Sequence, residues 1–235
     1  MSENLNSVGN KPTIVFCHGL WADGSCFNKL IPSLIADGYN VMSAQYGLDS
    51  YRQDVDAIRK TLNRIEGKVI LVGHSYGGAT ITAAGNDEKV VGLIYIAALA
   101  PDAGETAQSQ TADYPAEVFN HIEISDGRIW LLPEGTKYFA GDLSTEEQNV
   151  IFSTHYPPAV ELLGQQDLSN EEVAWRKKPC WYIVSAEDKT VSPDLQRVLA
   201  NRMNAKITEL QSSHVSMLSH PNEVLEVIRS AAMTI

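Results

Sequence analysis

Residues 68–84 read Lys68-Val69-Ile70-Leu71-Val72-Gly73-His74-Ser75-Tyr76-Gly77-Gly78-Ala79-Thr80-Ile81-Thr82-Ala83-Ala84. The apolar run Val69 to Val72 suits a strand covered on both faces. Gly73-His74-Ser75-Tyr76-Gly77 then sets a serine between two glycines, and Ala79 to Ala84 continue as a helix-compatible stretch. Strand, sharp turn and helix form the context in which a serine at the tip can act as a nucleophile. The backbone at such a tip is strained and leaves little room for neighbouring side chains, a crowding that flanking glycines relieve. If Gly and Ser are each about 7% of residues, roughly 0.08 chance matches arise in a chain this long. The segment therefore reads as a nucleophile-bearing turn.

Outward from this turn, apolar runs alternate with amphipathic stretches: Thr13 to Cys17, Val41 to Ala44, Val91 to Ala97 and Trp181 to Val184. Val55, Ile58, Leu62 and Ile65 repeat at helical spacing behind Asp49 and Ser50 as caps, with Gly67 as a stop. Ser192 and Pro193 open a helix through Met203, and Pro221 opens another carrying Val224, Leu225 and Ile228. Strand alternating with helix predicts an α/β protein with a mostly parallel sheet covered by helices on both faces. The alternation breaks between about Pro101 and Trp175, where turn residues, scattered aromatics and short helical patterns such as Ser144 to Phe152 take over. The expected organisation is a core of residues 1–100 and 171–235 with an inserted cap of residues 101–170.

Gly73-His74-Ser75-Tyr76-Gly77-Gly78, together with His18-Gly19-Leu20-Trp21 after the first strand, resembles the α/β-hydrolase fold family. More closely it resembles the small-capped branch of plant methylesterases, hydroxynitrile lyases and bacterial carboxylesterases. The resemblance runs from Pro12 to about Ile228 and is weakest in the cap. It implies an α/β-hydrolase fold and a catalytic triad.

A serine hydroxyl becomes nucleophilic only when a base takes its proton. Among six histidines, His214 follows the strand-like Lys206 to Leu210 and precedes the last helix, in the loop where this fold places its base. His220, directly before Pro221, is the competitor. His74 is expected to turn away from the pocket, and His18 to begin the oxyanion loop. His121 and His155 belong to the cap. The base needs a carboxylate on its far ring nitrogen. Asp188 follows the apolar run Trp181 to Val184, and Ser75, Asp188, His214 is the chain order known for this fold; adjacent Glu187 is the alternative. The resemblance assigns the two oxyanion donors to the backbone N–H groups of Tyr76 and Leu20. Trp21 and Tyr76 should flank the nucleophile. The cap aromatics Trp130, Tyr138, Phe139, Phe152 and Tyr156, with His155, are candidates for an apolar pocket, with Trp21, Trp130, Tyr138, Phe152 and His155 as the expected substrate contacts.

These residues predict a serine carboxylic-ester hydrolase for small, largely apolar esters. The hydroxynitrile lyases of the branch carry a threonine after the oxyanion-loop histidine and a lysine after the catalytic histidine, and Gly19 and Val215 stand there instead. A cofactor-free dioxygenase of this fold typically has a histidine after the nucleophile, where this chain has Tyr76. A hydrolase-like small-molecule receptor would keep the triad and turn over slowly.

The 235 residues carry 18 basic and 29 acidic side chains, a net of −11, with no Lys/Arg cluster, so nucleic acid is not an expected partner. The polar stretch Met1 to Lys11 lacks a secretory pattern, and no run reaches the ~20 apolar residues of a membrane span, which predicts a cytoplasmic protein with no membrane partner. Cys17, Cys26 and Cys180 have no metal or redox spacing and read as free thiols. Gly77 and Gly78 belong to the turn and its helix, not to a dinucleotide loop, so no cofactor and no metal is expected. The sequence sets no oligomeric state.

Overall fold

The computed structural model describes residues 11–165 and 173–235. The expected start of the core and its boundary with the cap at 170/171 lie outside the described residues. In chain order the elements before the cap are β1 (Thr13–Cys17), α1 (Ile31–Ala36), β2 (Val41–Ala44), α2 (Tyr51–Leu62), β3 (Val69–His74), α3 (Tyr76–Ala84) and β4 (Val90–Ile96). Then follow α4 (Ala107–Thr111), β5 (Ile122–Ser125), β6 (Arg128–Leu131), α5 (Thr136–Phe139) and α6 (Thr145–Thr154). The chain closes with β7 (Cys180–Ser185), α7 (Pro193–Arg202), β8 (Lys206–Leu210), α8 (Ser216–Ser219) and α9 (Pro221–Thr234).

Six strands form one sheet in the order β2-β1-β3-β4-β7-β8, and every pairing in it is parallel. The continuous apolar runs are explained by burial on both faces: every residue of β1, β3 and β7 is buried. At the sheet's rim, β8 is mostly exposed and reads as Lys, Ile, Thr, Glu, Leu. Ser50 caps α2 by accepting from the Gln53 N–H, as its position predicts. Ser192 precedes Pro193 at the start of α7 but makes no side-chain cap; the fixed φ of proline is the helix-starting feature there.

The irregular stretch between β4 and β7 contains a structured hairpin that its turn residues announce. Asp126 and Gly127, at φ of 49° and 71°, join β5 and β6 as an antiparallel pair. Two positive φ angles in succession suit a tight hairpin, and an Asp-Gly dipeptide accommodates them. α6 starts with a capping box, in which the Ser144 hydroxyl accepts from the Glu147 N–H while the Glu147 carboxylate accepts from the Ser144 N–H. No helix among the described residues is long and apolar enough to cross a membrane. The loops after β3, β7 and β8, at the carboxyl ends of their strands, carry Ser75, Asp188 and His214, the end of an open α/β sheet at which ligands bind.

Candidate active site

Ser75 sits between β3 and α3 at φ 55°, ψ −123°, a conformation costly for a residue with a Cβ and typical of functional turns. It is 5% exposed. Its N–H donates to the Ile96 carbonyl, and its carbonyl accepts from the N–H groups of Gly78 and Leu99. The glycines on either side are dictated by space. A Cβ on Gly73 would lie 2.5 Å from the Gly77 carbonyl oxygen, and one on Gly77 2.2 Å from that of Cys17. Tyr76 is the first residue of α3, so its N–H falls among those left without an intrahelical partner. Leu20 lies in the loop after β1, with its side chain buried.

His214 is fully buried, and its Nδ1 donates to Asp188 Oδ2 at 2.6 Å. Its Nε2 is buried with no hydrogen-bond partner among the described residues. The ring is set against the elbow by His74, whose Nε2 donates to the His214 carbonyl at 2.9 Å and whose ring centroid lies 4.6 Å from that of His214. Burial and the neighbouring His214 hold His74 well below the usual imidazole range, so it stays neutral. His74 also lines the cavity beside the elbow, which corrects the expectation that it turns away: the carbonyl of the base loop is its partner. The Asp188 carboxylate accepts from the Thr190 and Val191 N–H groups at Oδ1 and from Gln196 Nε2, besides His214, at Oδ2. Glu187, by contrast, gives its backbone N–H to the Ser212 carbonyl. His220 makes a hydrogen bond with Ser219 and lies 4.0 Å from Asp142.

A cavity of about 250 Å³ reaches this group at His74 and Val215, the neighbours of Ser75 and His214, while Ser75, His214, Tyr76 and Leu20 are not among its lining residues. Trp21 and Val215 wall it from the core, and Phe139, Leu143, Val150 and Ile151 from the cap. Lys29, Glu146 and Glu147 stand at it as well, with Lys29 Nζ 2.6 Å from Glu147. That contact, with the Ser144 hydroxyl and N–H, holds the Glu147 carboxyl at about 2. Trp21 lines the cavity and also donates from Nε1 to the Ile129 carbonyl at 2.8 Å. Trp130, Tyr138, Phe152 and His155 are corrected: none of them lines the cavity. Strand alternation turns Ile129 and Leu131 inward and leaves Trp130 40% exposed. Tyr138 stacks on His121 at 4.1 Å, and Phe152 and His155 stack on each other at 5.4 Å.

Several supports carried no sequence signal of their own. Asp142, in the cap, accepts from both the N–H and the hydroxyl of Ser213, the residue before His214. Asp54 in α2 accepts from the Tyr76 hydroxyl at 2.9 Å and from the Leu48 N–H at 3.2 Å. Burial pushes its carboxyl up to about 6. Gly19 packs so closely that a Cβ there would lie 2.7 Å from the Ser75 Cβ; a threonine at this position requires the elbow to move. Burial pushes the Cys17 thiol far up and that of Cys180 to about 12, which keeps both protonated. Among the described residues no group of three or more His, Cys, Asp or Glu side chains could hold a metal ion.

Comparison with known proteins places residues 14–227 within the profile described as the alpha/beta hydrolase family. The chain is 27% identical over 245 residues to a pyrethroid hydrolase of Sphingobium wenxiniae, covering 93% of this chain and 87% of that protein. It is 26% identical over 242 residues to methylesterase 1 of Arabidopsis thaliana, covering 88% and 89%. The crystal structure of polyneuridine aldehyde esterase superposes with a TM-score of 0.81 at 20% identity, over 94% of this chain and 99% of that one.

Proposed function

Because the chain belongs to the alpha/beta hydrolase family, we propose that it is a serine carboxylic-ester hydrolase acting on small, largely apolar esters through an acyl-enzyme intermediate. The observation that carries this reading is the buried His214, whose Nδ1 is taken by Asp188 while its Nε2 has no hydrogen-bond partner among the described residues. A histidine held in that way has one nitrogen free for a proton, and its tautomer is fixed by the carboxylate.

In the proposed reaction His214 Nε2 takes the Ser75 Oγ proton as Oγ attacks the ester carbonyl. The Tyr76 and Leu20 N–H groups hold the oxyanion, each contributing about 3–4 kcal/mol. His214 then returns the proton to the leaving alcohol, and water, activated by the same nitrogen, releases the acid. In apo structures the serine–histidine hydrogen bond is often unformed and tightens on substrate. Relatives named as a pyrethroid hydrolase and a methylesterase support an ester substrate, and the walls Trp21, Phe139 and Leu143 support a largely apolar one, with the Lys29 charge at the cavity taken up by Glu147. Val215 lines the cavity where the lyase pattern has a lysine, and an apolar side chain provides no charge to hold departing cyanide.

The test is a pair of substrates. Short aryl esters are hydrolysed by the unmodified protein and not by Ser75→Ala, while mandelonitrile releases no cyanide above the enzyme-free rate. Cyanide release faster than the best ester turnover overturns the esterase reading.

A further inference from the structure

We infer that Gln196 is a positioning residue for the acid–base pair, its amide holding the Asp188 carboxylate with Oδ2 toward His214. The inference rests on the esterase reading of that pair. Gln196 is the one polar member of the buried face of α7, among Leu195, Leu199 and Ala200, and is fully buried. A buried amide is costly unless it is hydrogen-bonded, and here both donor hydrogens and the acceptor are used. Nε2 donates to Asp188 Oδ2 at 2.7 Å and to the Val191 carbonyl at 2.8 Å, and Oε1 accepts from the Ser185 N–H at 2.9 Å.

The two oxygens of Asp188 are held differently. Oδ1 is fixed by two backbone N–H groups of its own turn, from Thr190 and Val191. That turn can anchor one oxygen and still leave the carboxylate free to swing about it. Among the described residues Oδ2 is hydrogen-bonded by two side chains, Gln196 and His214. Gln196 is therefore the fixed point that sets where Oδ2 lies, and His214 takes its orientation from that oxygen. It also supplies positive amide density to the carboxylate, which moderates the pull of the acid on the imidazolium. The ionisable groups packed about the pair are His74, kept neutral by burial, and Tyr182, whose hydroxyl burial keeps protonated.

A purely architectural glutamine, bridging the end of β7 to its loop, would affect stability and leave the chemistry alone. Two variants separate the cases. Gln196→Met keeps the volume and removes the donor; it should lower kcat about 10- to 100-fold, since small misplacement of a catalytic group has effects of that size, with KM within about threefold. Gln196→Glu keeps an acceptor for the Ser185 N–H and sets a second carboxyl against Asp188; two carboxyls this close and this buried cannot both ionise, so the introduced acid stays protonated and donates to Oδ2 in the amide's place, and kcat should stay within about threefold of the unmodified protein. The NMR resonance of the His214 Nδ1 proton should shift in Gln196→Met and hold in Gln196→Glu, a readout that needs no turnover. If Gln196→Met folds with wild-type melting behaviour, kcat and His214 Nδ1 resonance, Gln196 does not position the pair. If Gln196→Met fails to fold, an unmoved His214 Nδ1 resonance in Gln196→Ala overturns the inference alone. Ester turnover that survives Ser75→Ala instead sinks the esterase reading, and the His214 Nδ1 resonance still decides on Gln196.

Discussion

The elbow and the cap hold the same cavity between them and are built on opposite terms. Every residue of β3 and α3 is buried, and around Ser75 the backbone itself dictates residue type: a Cβ at Gly73 or Gly77 meets a carbonyl oxygen. In the cap, α6 buries none of its residues fully and is capped by its own Ser144 and Glu147. The cap is tied to the core largely through side chains, among them Trp21 to Ile129, Lys29 to Glu147, Ser213 to Asp142, Arg128 to Asp49 and Arg202 to Glu105. Chemistry that needs one strained backbone is locked by sterics, whereas the walls that choose a substrate rest on side-chain packing that tolerates change. On the proposed reading, the reaction falls to the sterically locked region and selectivity to the side-chain walls.

The sharpest way to break that division is at the elbow. Ser75→Ala and His214→Ala should each remove ester hydrolysis by about 10⁶-fold if the group acts as a unit, with circular dichroism and melting unchanged. Asp188→Asn should cost about 10⁴-fold, because serine and histidine remain while the wrong tautomer is favoured. Activity surviving in His214→Ala and lost in His220→Ala would move the base to the other histidine.

Asp54 sharpens the comparison from beneath the elbow. Its carboxyl lies at about 6 in the folded chain, against an ordinary 3.8. The folded state therefore holds an extra proton between those values, and the stability that this proton supplies is lost as pH rises through the window. Relative to Asp54→Asn, the unmodified protein should lose on the order of 2–3 kcal/mol of stability between pH 4 and pH 7 and stay level above it. Unfolding curves for the two proteins that run parallel across this range would contradict the buried, raised carboxyl.

The cap should respond more weakly and more selectively. Phe139→Ala removes a wall of the cavity and should raise KM for aryl esters about tenfold, the size of a lost apolar contact in a pocket, with kcat changed less. Trp130→Ala, on the solvent side of the hairpin, should leave both constants within about twofold. The reverse pattern would return Trp130 to the pocket.

The fold was legible because parallel-sheet strands are continuous apolar runs and because α2, α7 and α9 open at Ser50, Pro193 and Pro221. Asp188 and His214 could be picked by their places after β7 and β8, and the structure brings them to 2.6 Å. The pocket was less legible. Apolar aromatics satisfy a cap interior, a stacking partner or a cavity equally well, so Tyr138 could find His121 and Phe152 could find His155 without leaving a trace in the pattern. Phe139, one residue from Tyr138, faces the cavity because a helix turns about 100° per residue. The hairpin did have a signal, Asp126-Gly127 between two short apolar runs. His74, Asp142 and Gln196 had none, since a polar residue that supports another through space looks like any helix or loop residue in one dimension.

If His214 activates Ser75, a serine-directed aryl phosphonate reveals it without any choice of substrate. Intact mass and peptide mapping should show one adduct, on Ser75, formed quickly by the unmodified protein and by Trp130→Ala. It should be absent in Ser75→Ala and slowed by orders of magnitude in His214→Ala, because only the activated hydroxyl attacks phosphorus. An adduct on any other residue, or labelling of Ser75 at full speed without His214, would contradict activation of Ser75 by His214.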